Sequence, residues 1–170
     1  QSDSGTLSYR FQPIDLRDPI KQAAQQFEKS CHDCFIDVSL TLPEAPVLVL
    51  ADDARMNQLL SNLAQNTLRY TDGDAQQHGQ LHISVEETSE HFLVRWQDSS
   101  PGVSPDELDR LFDRLYRVEA SRSRESGGSG LGLAIVKNIV EAHRGTICAQ
   151  LSEFGGLDIQ VTLPKESEQS

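Results

Sequence analysis

The spacing of apolar and polar side chains changes period several times along these 170 residues. SYRFQ at 8–12 alternates and predicts a strand, and Asp18, as a cap with Pro19 in the first helical position, predicts a helix carrying Ile20, Ala23, Ala24 and Phe27. FIDVSLTL at 35–42 has the period of a half-buried strand, and VLVLA at 47–51 is a short, wholly apolar one. Asp52 and Asp53 then cap the clearest helix, which runs to about Tyr70 with Met56, Leu59, Leu60, Leu63 and Leu68 as its apolar stripe. Beyond a turn-rich connector at 71–79, LHISVEE and HFLVRWQD read as an antiparallel hairpin. Ser104 and Glu107 form a capping box for a short helix presenting Leu108, Leu111 and Phe112. Residues 118–130, charged and then glycine-rich, predict a mobile segment. A helix from about Leu131 to His143 follows, with Gly145 as its stop, and TICAQL and LDIQVTL close the fold around a Gly155-Gly156 turn. Several consecutive strands without strict β-α alternation predict an α+β fold: a two-layer α/β sandwich, with a mixed sheet of about five strands and about three helices on one face.

Composition narrows this picture. A chain of this length predicts one compact unit, and 15 Lys and Arg against 26 Asp and Glu leave a formal charge of −11. Such acidity argues against a nucleic-acid partner, whose phosphates need Lys and Arg. No apolar run approaches the roughly 18 residues of a membrane span. The chain begins at Gln1 without a signal-peptide pattern, the expectation for a piece of a longer protein. Cys31, His32 and Cys34 form a C-x-x-C segment without the second ligand pair a zinc site needs, so reduced thiols are expected there and at Cys148.

Three segments carry candidate chemistry. In NLAQNTLRYT at 62–71, Asn62 and Asn66 are four residues apart and share a helix face. Amide carbonyls are hard ligands for Mg²⁺, Arg69 could reach a phosphate, and Tyr70 offers a ring to a base. An exposed polar helix face would look the same. In the turn from Asp98 to Gly102, the carboxylate of Asp98 closes an alternating strand, where it could accept an exocyclic amine; Gly102 lets backbone pass close to a flat ligand, although an ordinary Pro-Gly turn has this composition too. GGSGLGLAI at 127–135 places glycine N–H groups at a helix start, a natural seat for a polyphosphate, or a simple linker. It is neither a dinucleotide fingerprint nor a Walker loop. Arg110, Arg114, Arg117, Arg122 and Arg124 crowd the segment before it, which suits an anionic ligand under a mobile lid, while Asp113 and Glu119 would equally suit a solvated ion-paired face.

Taken together and in this order, the segments resemble the ATP-binding catalytic domain of bacterial sensor histidine kinases, members of the GHKL ATPase superfamily with its Bergerat fold. NLAQNTLRYT resembles the family's N box, the Asp98-Ser99-Ser100-Pro101-Gly102 turn its first glycine box, LFDRLYR its F box, GGSGLGL its second glycine box and FGG at 154–156 its final glycine element. The resemblance divides the chain into the end of an upstream linker or dimerisation helix at 1–7, a catalytic domain at 8–164 and a disordered tail at 165–170. It implies ATP and Mg²⁺ as cofactors. Asn66 would be the metal ligand with Asn62 beside it, Arg69 a phosphate contact and Tyr70 a neighbour of the adenine. Asp98 would receive the adenine amine next to Gly102 and Val103. Gly128, Ser129, Gly130, Leu131, Gly132 and Leu133 would wrap the phosphates, and Arg114 and Arg117, with Phe112 and Tyr116 in the lid hinge, would approach the transferred group.

Two positions depart from the family pattern. Ser100 stands for a usual glycine and adds a hydroxyl beside the base, and Leu115 stands for the customary Phe of the F box. None of His32, His78, His82, His91 and His143 sits in the family's phosphoacceptor context, and each is expected to be structural or solvent-facing; His143 ends a helix, where a cation favours the dipole. The resemblance therefore implies a phosphoacceptor histidine on a separate dimerisation domain, relay to a cognate response regulator, and a membrane-anchored homodimer with this domain in the cytoplasm. Asn62 occupies the place of the general-base Glu of hydrolytic relatives, which implies slow hydrolysis. A nucleotide-sensing module without catalysis, and a stand-alone serine kinase of the same superfamily, are the alternatives.

Overall fold

A computed structural model describes residues 9–30, 35–71, 75–99, 105–112, 132–153 and 155–166. In chain order these form β1 (Gln12–Asp15), α1 (Arg17–Ser30), β2 (Ile36–Thr41), β3 (Leu48–Ala51), α2 (Asp53–Tyr70), β4 (Gly79–Glu87), β5 (His91–Asp98), a 3₁₀ turn (Pro105–Arg110), α3 (Gly132–Ala142), β6 (Thr146–Leu151) and β7 (Leu157–Pro164). The main sheet has five strands in the order β2-β4-β5-β7-β6, with β2 parallel to β4 and the other pairs antiparallel. The expected mixed sheet and three helices are present. Two further strands, β1 and β3, pair separately as a small antiparallel ribbon.

Strand alternation makes the two faces of the main sheet different. Leu81, Ile83 and Val85 of β4 and Phe92, Val94 and Trp96 of β5 share one face with Ile159, Val161 and Leu163 of β7; all are buried. The opposite face carries Gln80, His82, Glu86, Arg95 and Gln160. The helices cover the apolar face: Ile20 of α1, Met56, Leu59 and Leu60 of α2, Val94 and Val161 meet around one small core void. Fully burying side chains of this size stabilises the fold by about 1.5–3 kcal/mol each. α2 packs against both α1 and α3.

The first strand lies at 12–15 and not at 8–12. Pairing with β3 decides its place, since Gln12 opposes Ala51 and Asp15 opposes Leu48. Asp15 also moves the start of α1. Its carboxylate accepts the N–H of Arg17 at 3.1 Å and of Val47 at 3.0 Å and pairs with the Arg17 guanidinium at 2.8 Å. That guanidinium in particular holds the Asp15 carboxyl at about 2. The helix thus begins at Arg17, with Asp18 in its first turn and Pro19 within that turn, where a missing N–H leaves no helical bond unmade.

The end of α3 also departs from expectation. Gly145 N–H donates to Val140 O at 2.9 Å and Arg144 N–H to Glu141 O at 3.0 Å, the paired bonds of a Schellman motif. The left-handed residue in it is Arg144 (φ 64°). Gly145 is required for space, because a Cβ there would lie 2.3 Å from Thr162 O. Past Pro164, Lys165 N–H bonds Glu90 O and Glu166 N–H bonds Leu48 O. Cys31, His32, Cys34 and the segment at 118–130 lie outside the described residues. Among the described residues no helix is long and apolar enough to cross a membrane.

Candidate functional site

α2 supplies the first part of the site. Asp52 caps it, accepting Arg55 N–H at 3.0 Å, and Met56, Leu59, Leu60 and Leu63 bury one stripe against the sheet. The stripe ends on a polar residue, Thr67, which is 0% exposed. Asn62 and Asn66 are half-buried on the helix, and Arg69 is half-buried in its last turn. Asn62 Nδ2 is buried and has no hydrogen-bond partner among the described residues. An amide donor in that state carries a cost of about 1–3 kcal/mol that an anionic oxygen would remove. Thr71, the C-cap residue, likewise has a buried Oγ1 with no partner among the described residues.

β5 supplies the second part. Strand alternation puts Asp98 on the helix-covered face two residues after Trp96, and it is 1% exposed. Burying a carboxylate requires donors, and the fold provides them from both directions of the chain. Thr67 O–H donates to Asp98 Oδ2 and Leu157 N–H to Asp98 Oδ1, both at 3.0 Å. Trp96 Nε1–H donates to Thr67 Oγ1 at 2.8 Å. Ser152 O–H donates to the Asp98 backbone carbonyl at 2.6 Å, and Gly156 N–H donates to Ser152 Oγ at 3.1 Å. The end of β5 is therefore held by α2, by the start of β7 and by the β6–β7 turn at once. On its other side, Ser99 N–H bonds Gln80 O while Gln80 N–H bonds Ser99 Oγ.

The third part begins with α3. Gly132 is its first residue, Leu133 and Ala134 are buried in the first turn, and no acidic side chain stands there. The structure thus joins the N-box helix to the strand end at Asp98 through the residue that follows Asn66. Gly102, Val103, Arg114, Arg117, Gly128, Ser129, Gly130 and Leu131 lie outside the described residues, as do Ser100, Leu115, Tyr116 and the Tyr70 side chain.

Sequence reasoning passed over Thr67, Trp96, Ser152 and the Leu157 N–H. A signal existed for two of them: Thr67 continues the apolar stripe of α2 at the spacing of Leu63, and Trp96 shares a strand face with Asp98. His143 is structural, as expected, but not as a cation. It is buried at the end of α3, its Nδ1–H donates to Ile139 O at 2.8 Å, and its Nε2 accepts Asp52 N–H at 3.0 Å. Burial pushes its pKa below the usual histidine range, so it serves as a neutral acceptor and not as a cation on the helix dipole.

The chain belongs to the histidine kinase-, DNA gyrase B-, and HSP90-like ATPase family, which matches residues 51–167. It is 44% identical over 167 residues to the signal transduction histidine-protein kinase BaeS of Escherichia coli, covering 98% of this chain and 35% of BaeS. It is 37% identical over 164 residues to the sensor protein kinase PmrB of Pseudomonas aeruginosa, covering 96% of this chain and 33% of PmrB. The chain therefore spans about a third of the length of these curated relatives. Its fold matches that of the mycobacterial sensor histidine kinase MprB with a TM-score of 0.79 at 25% identity, over 91% of this chain and 99% of that one.

Proposed function

We propose that this chain is the ATP-binding catalytic domain of a sensor histidine kinase, which passes the γ-phosphoryl group of ATP to a histidine on a separate dimerisation domain for relay to a response-regulator aspartate. The observation that carries this reading is the bond from Thr67 to Asp98, which brings the amide-bearing helix to the aspartate at the end of β5. Asp98 accepts the adenine amine there, a contact a guanine carbonyl would oppose. The orphaned amide of Asn62 donates to a phosphate oxygen. Asn66 holds Mg²⁺, whose chemistry when bound is to neutralise charge on the phosphates. Arg69 adds a phosphate contact, and Tyr70, Gly102 and Val103 line the base. Gly128, Ser129, Gly130, Leu131, Gly132 and Leu133 wrap the phosphates at the start of α3, with Arg114 and Arg117 near the transferred group.

In the transfer step the P–O bond to ADP breaks as an imidazole nitrogen of the acceptor bonds the phosphorus. None of the four described histidines offers a phosphoacceptor setting. His78 pairs with Asp37 at 2.9 Å, His82 lies between Ser39 and Thr41 on the polar sheet face, His91 opens β5 and His143 is buried. The acceptor domain belongs to the longer, membrane-anchored homodimeric protein that the sensor-kinase relatives suggest, and the response regulator is that protein's separate partner. With Asn62 where a general base would stand, hydrolysis without the acceptor is slow.

Calorimetric titration with ATP, with and without Mg²⁺, tests the site. Mg²⁺ is expected to strengthen binding in the wild type, and Asn66→Ala is expected to remove that gain. Equal binding with and without the metal would count against the metal assignment. Labelling by radioactive ATP in the presence of the dimerisation domain is expected to give an acid-labile phosphohistidine. An acid-stable product would instead indicate serine phosphorylation, and no label at all a nucleotide-sensing module.

A further inference from the structure

Thr67 occupies a position in the hydrogen-bond web that follows from donor inventory alone. An indole N–H can only donate, so the 2.8 Å bond from Trp96 Nε1 fixes the Thr67 hydroxyl as acceptor on that side. The hydroxyl's own proton then goes to Asp98 Oδ2 at 3.0 Å. Leu157 N–H occupies Oδ1, so each carboxylate oxygen receives a donor from the protein. All three side chains are buried, with 1% or less of each residue exposed. Donors on both oxygens favour the ionised form, and an ionised carboxylate is an acceptor only. Without the Thr67 hydroxyl, Oδ2 could carry a proton and present an O–H donor to a carbonyl-bearing base.

We propose that Thr67 is a positioning residue for base selection: by donating to Asp98 Oδ2 it keeps that carboxylate an acceptor for an amino-substituted purine and closed to a carbonyl-substituted one, and it links this contact to the indole of Trp96. The inference rests on Asp98 being the base contact. Trp96 is the only tryptophan of the chain, so its emission reports the web directly.

The test measures ADP and GDP dissociation constants, together with Trp96 emission, for the wild-type chain, Thr67→Ser, Thr67→Val and Asp98→Asn. Wild type and Thr67→Ser are expected to prefer ADP alike and to change emission when ADP binds. Thr67→Val is expected to narrow the ADP-to-GDP preference by about tenfold, the scale of one lost hydrogen bond to a charged group, and to bind ADP without an emission change. Thr67→Val with the wild-type preference beside a collapsed preference in Asp98→Asn would overturn the role of Thr67 and leave the base contact standing. An undiminished preference in Asp98→Asn would overturn the base contact and the inference with it. Should Thr67→Val not fold, the other proteins decide: ADP binding that leaves wild-type emission unmoved overturns the link, and an emission change shared with Thr67→Ser supports it.

Discussion

Two buried aspartates stand at opposite ends of α2, and the difference between them separates a junction that holds the domain together from the site proposed for the nucleotide. Asp52, 6% exposed, caps the first turn, and its carboxylate accepts backbone N–H groups of Arg10 at 2.7 Å and Arg55 at 3.0 Å. Those bonds, the Arg10 N–H foremost, hold its carboxyl below the usual carboxylate range despite burial. Its own N–H reaches His143, which the Tyr9 and Phe11 rings meet edge-on. That end of the helix is a structural junction of the entering chain, α2 and α3. Asp98 at the other end is buried as deeply, yet one of its donors is a side-chain hydroxyl next to a metal-ligand candidate. One carboxylate closes backbone; the other, held by a side-chain hydroxyl and one backbone N–H, is the one we propose for the base contact.

The sharpest way to break the comparison is to exchange the consequences. Asp98→Asn is expected to weaken ATP binding by about 10–100-fold, the scale of a hydrogen bond to a charged group, while thermal unfolding moves less than in the Asp52 variant. Calorimetry and a melting curve on the same sample check this. Asp52→Ala is expected to do the reverse. Losing the cap and stranding the Arg10 N–H costs about 2–3 kcal/mol of unfolding free energy in denaturant titration, and the remaining folded protein binds ATP within about twofold of wild type.

A pH series sharpens the structural end further. Burial depresses the His143 pKa, so the unfolded chain takes up that proton first as pH falls. Stability is then full above the ordinary histidine value of about 6.5 and declines as pH drops from there toward the lower folded value, at no more than about 1.4 kcal/mol per pH unit. The nearby Asp52 carboxylate opposes this by favouring the imidazolium. His143→Gln should flatten the decline. Asp15 and Asp52, held low in the fold, act in a separate window: their contributions are present above the ordinary carboxylate value of 3.8 and disappear as pH falls toward about 2, where Asp15 lies. The smallest effect is a gain. Arg144→Gly places glycine at the left-handed position closing α3 and should stabilise by about 0.5–1 kcal/mol, read from the melting temperature.

The contrast also explains what was legible beforehand. α2 and its cap could be read because Asp52 and the Met56–Leu63 stripe are local signals, and the β4–β5 hairpin because its period is strict and its connection short. Asn66 and Asp98 stood out through their order along the chain. The first strand was displaced because its location depends on β3, which reaches it only after a helix and another strand have intervened, with Gln12 opposing Ala51. Thr67 was hidden because a threonine on an apolar stripe has no meaning until the strand carrying Trp96 and Asp98 is laid against it. The neutrality of His143 is hidden for the same reason: its helix-end position favours a cation, and only the burial and the Asp52 N–H bond of the folded chain make it neutral.

The sequence distances of the bonds to Asp98 carry a last consequence. The donors to its carboxylate come from 31 residues earlier and 59 residues later in the chain. No early hairpin or isolated helix can assemble that grip, since its ends must first be brought together against loop-closure entropy. If Asp98 is the base contact, as proposed, ligand affinity belongs to the finished molecule alone, and a bound nucleotide would certify that the last strand has reached its place.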